Sequence, residues 1–433
     1  MKKIKQLALA LTLTLALFGC RKDNPISLQA EDRYLAYGYT ENYWSKLFDD
    51  FWELMNQSYV LWIEEEELDW DEIYTEYYPK FVAIDEWQAE EDSDYDDPTH
   101  SLYGYNGSLL SKGDSVAVAT YKEITTQISD YHYVLGLKGP EVYLGAKGYY
   151  EVSSRDYYHA SDYSSFNNGI KTTITQGIAD GQITDYCAGT YYDYDYPSTP
   201  LSLYSYRQSD DIAYFRLSHW SISNSSDTAM FRSEDSITEV VDNFENIIRN
   251  TPNLKGAIFD VRCNGGGYLA DLDYIMGRFT NVDESITIGH TRHKSGPNRL
   301  DYTSYIPELL FGTSEQESVR FPIAVLVDVN SISMSEMVGF FAKEFSPESV
   351  IVGERTYGAT CCLADEMYLA GGFVESGSLL LYTVSAACYY GADNGFYEGV
   401  GLTPDIEVFY DAEWGTTTTD SQKEAAITYL KSL

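Results

Sequence analysis

The chain has 433 residues and a formal net charge of −38, with 67 acidic residues against 29 basic ones. A surface this acidic repels phosphate groups, which excludes nucleic acid and anionic membrane surfaces as ligands. The length suffices for two or three domains.

The N-terminus has the composition of an export signal. Three lysines precede a short apolar run that ends in Leu17-Phe18-Gly19-Cys20, which resembles a bacterial lipobox. Residues 1–19 are therefore predicted to be a lipoprotein signal peptide, because the run is too short for a retained membrane span. Cys20 would carry the lipid and residues 20–31 would form a tether. The predicted location is the bacterial cell envelope, on a periplasmic or surface face that the sequence leaves open.

Residues 32–100 are predicted to form a small helical domain. Apolar side chains recur there at the spacing of one helix face: Tyr43, Leu47, Phe48, Phe51, Leu54 and Met55. Asp69 stands at an N-cap position before a second helical stretch. Residues 101–210 form a separate segment with a helical run near Tyr121. The Tyr-, Thr- and Gly-rich part from residue 133 onward predicts short strands, and its tyrosine clusters suit either half-buried positions or stacking on sugars or peptides.

From residue 211 onward, strand and helix patterns alternate. Buried-strand patterns cover Ile212–Leu217, Gly256–Val261 and Ile323–Val327, with helical runs between them. This alternation predicts an α/β domain with parallel strands over residues 211–410. Residues 411–433 are predicted to be a C-terminal helix or tail.

Two of these strands end in unusual turns. Cys263-Asn264-Gly265-Gly266-Gly267 fits neither a dinucleotide fingerprint nor a P-loop. It is either a plain turn or a source of N–H groups for an oxyanion. Ser331-Ile332-Ser333-Met334-Ser335-Glu336 is either a serine-rich N-cap or an exposed nucleophile at a helix N-terminus, where the dipole favours a developing anion.

Together, four segments resemble the C-terminal processing (tail-specific) and tricorn-type serine peptidase family. The two turns resemble its D-x-R-x-N-x-G-G and S-x-S-x-S-E motifs. Two later segments, Val352–Gly358 and Glu398–Ile406, resemble its V-G-E-x-T-x-G and E-G-x-G-x-x-P-D motifs. The resemblance implies a crotonase-like β-α-β spiral core behind the small helical domain. No PDZ domain is recognisable in the sequence.

The resemblance also implies roles for individual residues. Ser333 corresponds to the nucleophile. Ala359 occupies the position of the lysine in Ser-Lys members, so either the protein is inert or its base comes from elsewhere. The Asp-x-His context of His132 resembles that of the tricorn-like branch, although Tyr131 replaces the serine expected before the histidine. Glu398 corresponds to the acidic residue that orients the imidazole; a surface glutamate is the alternative.

The oxyanion hole is assigned by resemblance to the N–H groups of Gly266 and Met334, with Gly265 as a substitute for Gly266. The predicted function is a Ser-His endopeptidase acting on proteins or peptides, without a cofactor or metal. The alternative is a non-catalytic lipoprotein of the same fold that binds peptides or glycans. The sequence leaves the oligomeric state open.

Five cysteines remain after Cys20. Cys361 and Cys362 lie on one side of a predicted hairpin and Cys388 on the other, so one disulfide there is an open alternative to free thiols. Cys263 lacks an accompanying base motif, and a small residue in the glycine turn is the better interpretation.

Overall fold

A computed structural model describes residues 43–90, 112–153, 163–192, 200–222, 236–363, 371–392, 394–409 and 419–433. The signal segment, the tether and Cys20 lie outside these ranges, so the expectations for them stay predictions. Among the helices described, none has the length and apolar character needed to cross a membrane.

The helices begin with a compact N-terminal group. In chain order they are α1 (Tyr43–Ser58), α2 (Trp70–Glu90), α3 (Lys112–Thr125), α4 (Lys147–Ser153), α5 (Tyr163–Ala179), α6 (Ser236–Asn250), α7 (Leu269–Met276), α8 (Met334–Phe345) and α9 (Ser421–Ser432). In α1 to α3, the rings of Phe48, Phe51 and Phe81 surround Tyr121. The predicted helix at residue 43 and the N-cap at Asp69, whose Oδ1 accepts two backbone N–H groups, are confirmed. The helical region continues past residue 100 to α3.

The strands form three sheets. In chain order they are β1 (Val134–Leu137), β2 (Val142–Gly145), β3 (Ile183–Tyr192), β4 (Pro200–Gln208), β5 (Ile212–Leu217), β6 (Gly256–Asp260), β7 (Ser285–Arg292), β8 (Ile306–Phe311), β9 (Ile323–Val327), β10 (Val350–Gly353), β11 (Gly372–Ser376), β12 (Leu379–Thr383), β13 (Ala387–Tyr390), β14 (Gly395–Phe396) and β15 (Ile406–Glu407). The sheet orders are β15-β10-β9-β6-β5-β4-β3, β11-β12-β1-β2 and β14-β13-β7-β8.

The seven-stranded sheet is the centre of the fold. Its strands run parallel from β5 to β15, and β3 and β4 add an antiparallel edge. On one face, the rings of Phe215 and Phe259 pack with Phe244 of α6. On the other face, Leu326 lies in an apolar cluster with Leu430 of α9. Parallel sheets are covered on both faces in this way. The predicted α/β architecture behind a small helical region is confirmed.

The prediction of short strands after residue 133 is wrong for two stretches, which form α4 and α5. In α5, Phe166, Ile170 and Ile174 follow one helix face and pack beneath the seven-stranded sheet. Burial of that stripe outweighs the strand preference of the local composition. Strands β3 and β4 extend the same sheet, so it begins at residue 183, ahead of the predicted core boundary at residue 211.

A buried ion network holds α9 beneath the glycine turn. Asp260 binds Arg262 at 2.7 Å and Arg216 at 3.2 Å, and Arg262 reaches Asp420, the N-cap of α9, at 2.7 Å. Burial alone would raise the pKa of Asp260, but the two guanidinium groups outweigh it and bring the pKa to about 2. Two arginines face two aspartates, so neither sign of charge is left uncompensated.

We expect Asp420→Ala to lower the free energy of unfolding by roughly 3 kcal/mol, because Arg262 would keep a buried charge with one carboxylate fewer and α9 would lose its cap. Asp210→Ala is the control. It removes an exposed pair with Lys431 at 3.1 Å, at the other end of α9, for a loss of about 0–0.5 kcal/mol. Urea unfolding compares the two. Equal losses would mean that the network contributes no more than a surface pair.

Candidate active site

The serine-rich turn places Ser333 in a backbone conformation that side chains rarely adopt. Ser333 lies directly before α8 with φ 57° and ψ −118°. Positive φ in a residue other than glycine costs about 1–3 kcal/mol and is maintained only by surrounding contacts. One such contact is Ser331, whose hydroxyl donates to the Val261 carbonyl at 2.9 Å and accepts from the Asp328 N–H at 3.0 Å. Ser333 itself stays half-buried and accessible.

The glycine turn is fixed against the serine turn by Asn264. Its amide donates to the Leu217 carbonyl at 2.9 Å, and its backbone carbonyl accepts from Ile332 at 3.1 Å. Gly266 has φ 97°, and a Cβ there would lie 2.8 Å from the Cβ of Ser333, so no side chain fits. The Gly266 N–H donates to Asn264 Oδ1 at 3.0 Å. This N–H, the first one assigned to an oxyanion, is therefore already engaged within its own turn.

The buried carboxylate of Glu336, in the first turn of α8, ties the nucleophile segment to a second loop. It accepts four hydrogen bonds, from the Ser333 N–H at 3.0 Å, the Thr356 hydroxyl at 2.5 Å, and the Gly358 and Ala359 N–H groups at 2.9 Å each. Burial raises the pKa of Glu336 to about 7, against the opposing effect of these donors. The Ala359 side chain is fully buried.

Glu398 is a second buried carboxylate, which lies beside His132 as Glu336 lies beside Ser333. Its Oε2 accepts the N–H groups of Thr360 at 2.6 Å and Cys361 at 2.7 Å. Its Oε1 accepts the Tyr131 N–H at 2.8 Å and lies 3.8 Å from Nδ1 of His132. We call residues 356–361 the carboxylate-binding loop, because successive N–H groups hold Glu336 and then Glu398.

Asp130 fixes the backbone that carries the histidine. One carboxylate oxygen accepts the His132 N–H at 2.8 Å, and the other accepts the Val384 N–H, just after β12, at 2.9 Å. Burial and the charge of Glu398 raise the pKa of Asp130 to about 7. The histidine turn is thereby attached to a sheet built from residues far along the chain.

The electrostatic surroundings of His132 are strongly acidic. Burial lowers the pKa of its imidazole, but Glu398, Asp130 and Glu336 outweigh burial, and the net shift is upward. Neither ring nitrogen has a hydrogen-bond partner among the described residues. Nδ1 lies toward Glu398 at 3.8 Å, and Nε2 is buried.

Asp130, His132 and Glu398 are also the one set in the described ranges whose ligand atoms, all within 4.8 Å of one another, could hold a metal ion. Each of the four carboxylate oxygens already accepts a backbone N–H.

Tyr131 stands where the resemblance predicts a serine, and its side chain makes other contacts. Its hydroxyl donates to Glu151 of α4 at 2.6 Å. Its ring lies against three glycines, where added Cβ atoms would approach it to 2.2 Å at Gly148, 3.2 Å at Gly358 and 3.5 Å at Gly399. The Tyr131 hydroxyl thus donates to Glu151 rather than to the His132 imidazole. The backbone N–H of Tyr131 binds Glu398.

The structure brings most of the predicted site residues to one place. Ser333 and His132 connect through Glu336, Glu398 and the carboxylate-binding loop, and the glycine turn lies against Ser333. Sequence reasoning missed the roles of Glu336, Asp130 and Asn264. Two of them had a signal, since a glutamate three residues after a serine indicates a capping box and an Asp often binds the N–H two residues on.

Residues 211–408 match the sequence profile of the family described as Peptidase family S41. The core of this chain is similar to peptidase family S41. A carboxy-terminal-processing protease from Bartonella bacilliformis is 28% identical over 203 residues, which cover 47% of this chain and 40% of that protein. The structure of a candidate peptidase from Parabacteroides merdae is 20% identical, with a TM-score of 0.56 over 90% of this chain and 96% of that one. At that identity the second likeness concerns the fold alone, and the first spans less than half of the relative's length.

Glu336→Gln should impair the core domain without touching a predicted catalytic side chain. A glutamine amide would place its own N–H groups against two of the four donors, so the unfolding free energy should fall by about 1–3 kcal/mol. Loss of the Ser333 position should lower kcat/KM by roughly 10- to 100-fold. Glu344→Gln, an exposed change on the same helix, should alter neither quantity. Steady-state kinetics and urea unfolding test this, and equal kcat/KM for the two variants would contradict it.

Proposed function

We propose that this protein is a serine endopeptidase of the bacterial cell envelope that cleaves protein or peptide substrates through an acyl-enzyme. The observation that carries the proposal is the shared anchoring of two carboxylates on the carboxylate-binding loop. Glu336 binds the backbone of Ser333, and Glu398 faces His132. This arrangement supports a nucleophile and a base positioned against the same rigid element, which acyl transfer requires.

In the proposed reaction, Ser333 Oγ attacks the substrate carbonyl carbon while its proton passes to Nε2 of His132. Glu398 stabilises the resulting imidazolium. The protonated imidazole then donates to the leaving amine as the C–N bond breaks. Water, deprotonated by the same nitrogen, hydrolyses the ester and regenerates Ser333. The orientation of Nδ1 toward Glu398 supports this division of the two ring nitrogens.

In this proposal, the N–H groups of Met334 and Gly265 donate hydrogen bonds to the oxyanion. Met334 is the first residue of α8, and the first N–H groups of a helix have no intrahelical acceptor. The Gly266 N–H is bound to Asn264 Oδ1, which favours the substitute Gly265 over Gly266. A negative oxygen near Ser333 would also meet the positive end of the α8 dipole.

A Ser-His mechanism agrees with the surroundings of residue 359. Ala359 stands where Ser-Lys members carry the base, and its side chain is fully buried beside the Glu336 carboxylate. The site thus keeps no amine at that position, while an imidazole lies in a strongly acidic cluster. The envelope location and the lipid on Cys20 rest on the signal sequence, and the protein or peptide substrate rests on the S41 family.

Ser333→Ala should reduce turnover of an unfolded protein substrate by at least about 10⁴-fold, because the acyl-enzyme can no longer form. The fold should persist, since one hydroxyl is lost from a half-buried site. A fluorophosphonate probe should label the wild type and fail to label this variant. Ser318→Ala is the control: it removes a half-buried hydroxyl that bonds Asn281 and Glu284, outside the serine turn, and it should still be labelled. Turnover near the wild-type rate in Ser333→Ala would show that another residue is the nucleophile.

The rate should fall on the acidic side as His132 becomes protonated. Neighbouring carboxylates raise the pKa of its imidazole above 6.5, so the acidic limb of kcat/KM should have its midpoint above pH 6.5, with activity lost below it. Glu398→Gln should move the limb to lower pH and reduce the maximum, because the imidazolium loses its stabilising charge. Glu407→Gln, on nearby β15, is the matched surface control. An unchanged limb in Glu398→Gln would exclude Glu398 as the partner of the base.

A further inference from the structure

Three cysteines meet at the end of the carboxylate-binding loop. Sγ of Cys388, in β13, lies 3.2 Å from Sγ of Cys362 and accepts the Cys362 N–H at 3.2 Å. The Cys388 N–H in turn donates to Sγ of Cys361 at 3.3 Å. All three are free thiols in this structure. The sulfurs of Cys362 and Cys388 are therefore in contact but unbonded.

The backbone on both sides of this contact is held in register. Cys362 forms an antiparallel bridge with Ala386, and its carbonyl accepts the Ser385 N–H at 2.8 Å. Cys388 is paired with Thr291 of β7. A disulfide needs a sulfur–sulfur distance of about 2.05 Å, so the two sulfurs must approach by roughly 1 Å. Because Cys388 lies two residues beyond the bridge partner Ala386, closing the bond requires a small shift of the Cys362 backbone toward β13 as well as side-chain rotation.

We propose that Cys362 and Cys388 are a site of covalent cross-linking by a disulfide-donating oxidant. The thiolate of the half-buried Cys362 attacks the donor disulfide, forms a mixed disulfide and releases one donor thiolate. Cys388 then attacks Sγ of Cys362 and releases the second. Two protein thiols lose two protons and two electrons, and one donor disulfide becomes two thiols.

Cys362 rather than Cys361 is the partner because of exposure and contact. Cys361 is 2% exposed, and the pKa values of the Cys361 and Cys362 thiols are both raised, so the pKa does not distinguish the two. Cys362 is half-buried and its sulfur already touches that of Cys388. Hydrogen bonding with Cys388 and burial also raise the pKa of the Cys362 thiol. Cross-linking is therefore expected to be slow at neutral pH and faster in alkaline buffer.

The cross-link would restrain the backbone that holds Glu398, the carboxylate that faces His132. The N–H groups of Thr360 and Cys361 hold Glu398, and Cys362 follows them immediately. The Thr360 carbonyl also accepts the hydroxyl of Tyr390, two residues after Cys388, at 2.6 Å. A covalent bond from Cys362 to β13 thus fixes the segment that positions Glu398. This consequence holds whether or not the protein is a peptidase.

The first experiment identifies the bond. The full chain is incubated with oxidised glutathione at alkaline pH, alkylated and mapped by mass spectrometry without reduction. The Cys361→Ser variant should still form the Cys362–Cys388 cross-link, whereas the Cys362→Ser and Cys388→Ser variants should not form it. Cys187 and Cys263 should be alkylated. Circular dichroism verifies that each variant is folded. Absence of any cross-link in the folded wild type, or a cross-link in Cys362→Ser but not in Cys361→Ser, overturns the proposal.

The second experiment tests the effect on the loop. Hydrogen exchange of peptides covering residues 357–363 is compared between reduced and cross-linked protein, with α6 as an internal reference. Exchange in the loop should slow by about tenfold or more on cross-linking, and the melting temperature should rise by roughly 5 °C. Neither readout depends on catalysis, so loss of the proposed peptidase function would leave this test intact. Unchanged exchange in the loop would refute the link to the Glu398 segment.

Discussion

The whole site depends on one short stretch of backbone that binds two buried carboxylates. Within residues 356–361, neighbouring N–H groups hold Glu336 and Glu398. Carboxylates of like charge are costly to bury close together, and here directed donors offset that cost. Because one carboxylate fixes the backbone of Ser333 and the other faces His132, a shift in this loop would move these two residues relative to each other.

Much of this arrangement could be predicted from local patterns. The strands ending at Asp260 and Val327 are continuous apolar runs, and the turns after them contain the glycines and serines that a close approach requires. In helix α6, the spacing of the apolar residues along the sequence already indicates which face is buried. The resemblance to a peptidase family added Ser333, His132 and Glu398, and the structure brings these three together around the carboxylate-binding loop.

Other features depend on partners that are distant in sequence and therefore leave no local trace. Helix α5 looks like strand by composition, and its stripe at Phe166 becomes meaningful only beneath the sheet. The pairing of β1 with β12 cannot be deduced from either strand alone. The hydrogen bond from the Gly266 N–H to Asn264 Oδ1 depends on how the Asn264 side chain is oriented in the folded turn, which the local sequence does not reveal. Tyr131 replaces a serine without disturbing Glu398, because its backbone N–H, rather than its hydroxyl, makes the contact.

The pairing of β1 with β12 also has a consequence for biosynthesis. The Tyr131 N–H and its acceptor on Glu398 are 267 positions apart, and Asp130 is held by Val384, 254 positions away. Contacts between such distant residues form late in folding. A ribosome or secretion channel releases the segment around His132 long before its partners emerge. The nascent chain therefore cannot complete this cluster of Asp130, His132 and Glu398 until Glu398 has been synthesised and released.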